Sequence, residues 1–251
     1  MPVGCRVRAR SGYGPVVSRS TVAPLLLGCW RREWIRYADG SADDSSEVYW
    51  LQLGSSMADL RVPATHAALA NRSGFDECSL DELRSLADSD SSTGTTWCSD
   101  VSIDRRGVRT AKAERDSTGG IVFRIITKFP EPGLLEWNRA GDVLTERPPS
   151  GAYTEQWRSV PGTMGPTARL AFGDGHQVYR SGDAVMLVRD RRALAIVDVS
   201  LEQQIAACGD DRAALEALVD CEFSFALLRH GRAVIRASTL PWRVGQAVPI
   251  G

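Results

Sequence analysis

Four side chains on two adjoining segments are of the types that orient a small molecule. The segments are Val48-Tyr49-Trp50-Leu51-Gln52-Leu53 and, after Gly54-Ser55-Ser56, Met57-Ala58-Asp59-Leu60-Arg61-Val62. Side chains alternate across a strand, so Trp50 and Gln52 share one face, and Asp59 and Arg61 lie together opposite Leu60 and Val62. An indole, an amide, a carboxylate and a guanidinium make the few placed polar groups on apolar walls that a ligand cavity needs. Glu155 and Trp157 share a face of a later segment, Tyr153 to Val160, and extend the same wall. If buried, Glu155 acquires the raised pKa of a general acid. The opposing reading puts this polar face in water, with Asp59–Arg61 as a surface ion pair and Tyr49, Leu51 and Leu53 as core.

Other chemistry finds little footing. No G-x-S-x-G elbow occurs, and Gly173-Asp174-Gly175-His176 lacks the strand-loop-helix setting of a phosphate loop. The histidines, His66, His176 and His230, are far apart, and none of the six cysteines forms a C-x-x-C pair, so no metal site and no cofactor are expected. Scattered cysteines read as small buried hydrophobes of a reducing, cytoplasmic setting. Leu26-Leu27-Gly28-Cys29 loosely fits a lipoprotein cleavage box, but the apolar run before it is short and contains Pro24.

The elements that must position the candidate residues are mostly strands. Val48–Leu53 and Met57–Val62 read as a hairpin closed by Pro63. Ile121 to Phe129 alternates cleanly, and Leu134–Trp137, Asp142–Arg147 and Tyr153–Val160 follow between Gly and Pro turns. Pro161-Gly162-Thr163-Met164-Gly165-Pro166 reads as a linker. Beyond it come Arg169–Phe172, Gln177–Arg180, Ala184–Arg189, Ala193–Val199, Cys221–Leu228 and Arg232–Ser238. Regular strands with a turn signal each time are the pattern of barrels and sandwiches. Two short helices interrupt it, one capped by Ser79 with Leu80, Leu83 and Leu86 as its stripe, the other capped by Asp211.

Gly28-Cys29-Trp30, at the start of the first β segment, resembles the G-x-W of the lipocalin, or calycin, barrels. Together with Trp30-Arg31-Arg32-Glu33, Trp50-Leu51-Gln52, Ala58-Asp59-Leu60-Arg61 and Glu155-Gln156-Trp157, it is similar to a little-characterised family carrying two such barrels, which includes a fungal kinase-interacting protein. The resemblance covers about residues 25–162. It implies that Gly28 and Trp30 close the barrel's narrow end beneath a late-strand arginine, for which Arg158 is the candidate. The T-D-Y turn of classical lipocalins is missing.

These readings combine into a mainly β chain of two lipocalin-like antiparallel barrels, each with one short helix: a flexible extension at 1–20, a barrel at 21–162 and a smaller one at 163–251. The 251 residues carry 43% apolar and 24% charged side chains with a formal net charge of −1, proportions that suit a globular chain. Near neutrality argues against a nucleic-acid binder, and no stretch is long and apolar enough to span a bilayer. Charge is nonetheless uneven, since residues 38–104 hold 13 acidic residues against three arginines. The expected role is to bind a small, apolar or amphipathic ligand through Trp50, Gln52, Asp59, Arg61, Glu155 and Trp157. The alternatives are an enzyme using these lumen carboxylates, and a filled-barrel module that recognises a protein partner.

Overall fold

Among the described residues the first half has nine strands, β1 (Gly28–Tyr37), β2 (Ala42–Asp43), β3 (Glu47–Leu53), β4 (Ser56–Val62), β5 (Asp90–Ile103), β6 (Arg109–Asp116), β7 (Gly133–Trp137), β8 (Val143–Arg147) and β9 (Tyr153–Ser159). The structure is a computed structural model that describes residues 22–118, 120–123, 131–172, 175–191 and 199–248. The expected extension at 1–20, most of the Ile121–Phe129 segment and nearly all of Ala193–Val199 lie outside those residues.

From β3 to β9 each strand is the antiparallel neighbour of the next, and β1 pairs with both β3 and β9. Eight strands therefore close into an antiparallel barrel, with β2 a short hairpin strand on β1. The closing ladder runs from Trp30 opposite Ser159 to Tyr37 opposite Tyr153, with a bulge between Arg32 and Trp34. A bulge inserts one residue and reverses which side chains face inward beyond it. Trp30 and Arg32 therefore point into the barrel, as Ile35 does beyond the bulge. Trp34 stands outside, where the Arg36 guanidinium lies 4.6 Å from its ring centre. Strict alternation, which would place Trp30, Arg32 and Trp34 on one face, fails here for that reason.

One end of the barrel is stoppered. A 3-10 turn at Pro24–Leu26 places Val22, Ala23 and Leu26 against Trp30 and Trp137, and the Trp30 indole N–H donates to the Leu26 carbonyl at 2.9 Å. Gly28 begins β1 at φ +103°, a conformation open to glycine. A Cβ there would also press on Met164 and Thr163 of the expected linker. That linker folds back on the barrel, since Thr163 Oγ1 accepts from the Cys29 amide at 3.0 Å and donates to the Val160 carbonyl.

The second half forms β10 (Thr167–Ala171), β11 (His176–Ser181), β12 (Ala184–Arg189), β13 (Glu222–Arg229), β14 (Arg232–Ser238) and β15 (Ala247–Val248). These make one antiparallel sheet in sequence order. A second barrel is not seen: among the described residues the two outer strands, β10 and β15, do not pair with each other. The single short helix expected in each half also needs correction. Helix α1 (Leu80–Leu86) has the predicted Ser79 cap, completed by Glu82 as a capping box. Among its described residues the second half has two, α2 (Leu201–Cys208), capped by Ser200, and α3 (Arg212–Val219), capped by Asp211.

One apolar core joins both halves. The outer face of β3 and β4 (Tyr49, Leu51, Leu53, Ala58, Leu60 and Val62) packs with Tyr179, Met186, Phe223 and Phe225 of the second sheet and with Leu83, Leu86, Leu215 and Leu218 of the helices. Tyr49 stacks on Phe225 with ring centres 3.9 Å apart. No helix among the described residues is long and apolar enough to cross a membrane. Phe225→Ala removes the centre of the shared core and is expected to lower the unfolding free energy by about 3–5 kcal/mol. Leu170→Ala at an exposed position should stay within about 0.5 kcal/mol. Urea titration of both variants checks this, and equal losses would refute a shared core.

Candidate functional site

Closure of the sheet turns one face of every strand into a lumen. On β3 that face carries Val48, Trp50 and Gln52, and on β4 Met57, Asp59 and Arg61, with Trp50 opposite Asp59. Residues Thr96 and Cys98 face inward from β5, and Ala111, Ala113 and Arg115 from β6, with Thr96 opposite Arg115. Leu135 and Trp137 line β7, Leu144 and Glu146 line β8, and Glu155 and Trp157 line β9. The structure thus brings five of the six predicted ligand residues (Trp50, Asp59, Arg61, Glu155 and Trp157) into one buried cluster. Gln52 is on the same face but spends its amide on its own hairpin, accepting from the Trp50 indole at 3.0 Å and donating to the Gly54 and Ser56 carbonyls.

The lumen is layered. Trp30, Trp50, Trp137 and Trp157, with Leu135 and Leu144, fill the stoppered end, and each of these tryptophans is at most 1% exposed. Toward the other end lies a layer of paired charges. Arg61 grips Asp59 through two bonds of 2.9 and 3.2 Å and reaches Glu155 Oε1 at 3.3 Å. Arg32 donates to the same Glu155 oxygen at 3.2 Å and to Asp43 at 2.6 Å. Arg115 Nη2 donates to both oxygens of Glu146 at 2.8 Å, and its guanidinium lies 4.0 Å from the Trp50 ring centre. Glu146 stands directly opposite Glu155 across the β8–β9 hairpin, and both are fully buried. Gly133 leaves the room for this, because a Cβ there would collide with the Glu146 carboxylate.

Ionisation follows from this packing. Burial pushes the Glu146 carboxyl up, Arg115 opposes the shift, and the facing Glu155 adds to it. Burial alone would lower the Arg61 and Arg115 guanidinium pKa values, but the carboxylates beside them overcome it and raise both. Tyr153, at the rim, is raised first by burial and then by Glu146 and Glu155. At Asp43, burial acts upward but hydrogen bonds from Ser45 and Ser46 win, bringing its carboxyl down to about 2.

Thr96 Oγ1, Trp137 Nε1, Glu155 Oε2 and Trp157 Nε1, all buried on the inward faces, have no hydrogen-bond partner in the chain. Buried polar atoms are seldom left so, and three of these sit on β7 and β9, the strands on either side of β8.

Arg158 does not cover Trp30. It is one residue from the inward Trp157, so it faces outward, half exposed, and pairs with Glu33. The residues missed in the sequence are Arg32, Thr96, Arg115, Trp137 and Glu146. For Glu146 a signal existed: a hairpin turning at Pro148-Pro149-Ser150-Gly151 sets Glu146 against Glu155. Arg115 and Thr96 had none, because β5 and β6 are rich in Ser, Thr, Asp and Arg and lack an apolar alternation. Among the described residues no cluster of His, Cys, Asp and Glu could hold a metal ion. No protein-family model, curated protein or solved structure matches the chain.

Two outcomes follow from the charge layer. Arg115→Met strands a buried Glu146 and should cost about 3–5 kcal/mol, whereas Arg115→Met with Glu146→Leu should recover most of it; a denaturant double-mutant cycle measures both. Because the folded state depresses the Asp43 carboxyl from 3.8 to about 2, its stabilisation is complete above the unfolded value and is lost as pH falls through that interval. The stability gap between wild type and Asp43→Asn should therefore narrow on acidification across that window, and a constant gap would remove the assigned role.

Proposed function

We propose that this chain is a lipocalin-like binding protein whose barrel takes one small, partly apolar ligand in its lumen. The observation that carries the reading is the set of buried polar atoms without a partner in the chain, Glu155 Oε2, the Trp137 and Trp157 indole nitrogens and Thr96 Oγ1, on the inward faces of the barrel strands. Placing such polar groups inside the barrel costs free energy that an apolar lining of the same volume would not. An eight-stranded barrel is the size that either fills with side chains or holds one small ligand. The G-x-W at Gly28–Trp30, placed at the stoppered end, supports the lipocalin-like assignment. Buried thiols at Cys29, Cys98 and Cys221 support a reducing, cytoplasmic setting.

A second reading, a filled barrel serving as a protein-interaction module, draws on a different observation. The lumen side chains have almost no accessible surface, while Val101, Ile103 and Leu134 are exposed apolar residues on the outer wall. Native mass spectrometry of the full chain purified from its own host separates the two. The ligand reading expects the mass of the chain plus a small-molecule adduct that leaves on denaturation. A bare chain mass together with a stoichiometric protein partner would overturn it in favour of the second.

A further inference from the structure

A cleft of about 310 Å³ opens between the outer wall of the barrel and the second sheet. Pro63, Ala64 and Ala67, where β4 runs into a 3-10 turn at Ala64–Leu69, make one wall. Ala237 of β14, with Pro241 and Val244 around the turn Pro241–Arg243, makes the other. These side chains are short and apolar, and they leave space between two units that pack closely elsewhere. Apolar clefts of this size at the junction of two packed units are common sites for small molecules.

The rim is polar, and nearly all of its groups are already engaged. Glu47 accepts from Arg31 at 3.1 Å and from the Tyr49 hydroxyl at 2.8 Å. The Ser45 hydroxyl donates to Asp43, and Ser238 Oγ lies between the Ser224 hydroxyl and the Leu240 amide. His66 spends Nε2 on the Ser85 carbonyl at 3.0 Å. Arg236 differs: it is exposed, it lines the cleft, and it makes no hydrogen bond or ion pair with any described residue. With Glu47 matched by Arg31, the charge left over in the cleft is a single positive one.

A planar guanidinium with five free donors suits a carboxylate, which it can hold by two parallel bonds. The apolar walls suit a hydrocarbon body beside that carboxylate. A second negative charge would face Glu47 with no cation to meet it, and Pro63 and Pro241 offer no N–H to a peptide chain. We infer that this cleft is a binding site, separate from the lumen, for a small aliphatic monocarboxylate whose chain lies between the alanine and proline walls and whose carboxylate rests on Arg236. The inference does not depend on what the lumen holds.

NMR titration of the full-length protein with hexanoate, hexan-1-ol, hexylammonium and N-acetylleucine tests it. Hexanoate should move the amide signals of Ala64, Ala67 and Val244 and should bind about fivefold more tightly than hexan-1-ol, the scale of one solvent-exposed ion pair. That advantage should fade as salt is raised. Hexylammonium should be the weakest ligand, and N-acetylleucine should bind less tightly than hexanoate. Arg236→Gln, at an exposed position, should bring hexanoate and hexan-1-ol to about equal affinity. Ala67→Phe, which fills the cleft without touching Arg236, should abolish binding of both. Hexanoate shifts confined to the barrel strands, affinities unchanged in both variants, tighter binding of hexan-1-ol or N-acetylleucine, or no binding at all would overturn the site.

Discussion

Everything in the first half depends on one pairing, the ladder between β1 and β9. All other strand pairings of this barrel among the described residues join strands adjacent in the chain or separated by a single short hairpin strand, and would exist in an open sheet. The β1–β9 ladder joins residues near 30 to residues near 155 and converts a sheet face into an interior. Only then do Arg32 of β1, Arg61 of β4 and Glu155 of β9 meet on one oxygen. Closing so long a loop costs chain entropy, and the return is a dry apolar end around four tryptophans together with the removal of two exposed sheet edges.

The charged layer answers to different energetics. Moving three guanidiniums and three carboxylates out of water costs several kcal/mol per ion, and their mutual attraction repays it only with good geometry. The geometry is good for Asp59 and Glu146, each of which engages a guanidinium with both oxygens. It is incomplete at Glu155, where one oxygen takes two guanidiniums and the other takes none. A packed hydrophobic layer of the same volume would be at least as stable. The layer is thus better understood as a device for placing polar groups inside a barrel than as a source of stability.

Strand β3 shows why the sequence invited two opposed readings of its faces. The polar face of β3 and β4 was to be either lumen or solvent, with the apolar face as core. In the folded chain neither face meets water: Trp50, Gln52 and Asp59 are buried by barrel closure, and Tyr49, Leu51 and Leu60 by the second sheet and the helices. The same second sheet explains why the second half does not repeat the barrel of the first. It stays open among the described residues, and its inward residues Tyr179, Met186 and Phe225 serve the barrel's outer wall.

Local pattern was enough for hairpins, caps and strand parity. Alternation over 48–62 placed Trp50 with Gln52 and Asp59 with Arg61, the turn after Arg147 set off Glu155 and Trp157, and Ser79 and Asp211 marked helix starts, because each of these rests on residues a few positions apart. What folding in three dimensions decided was of longer range. The bulge after Arg32 turned Trp34 outward, parity on β9 sent Arg158 to Glu33 instead of Trp30, and strands too polar to recognise brought in Thr96 and Arg115. A carboxylate or guanidinium reads alike on a surface and in a lumen, since its own neighbours in the chain do not determine which strands will enclose it.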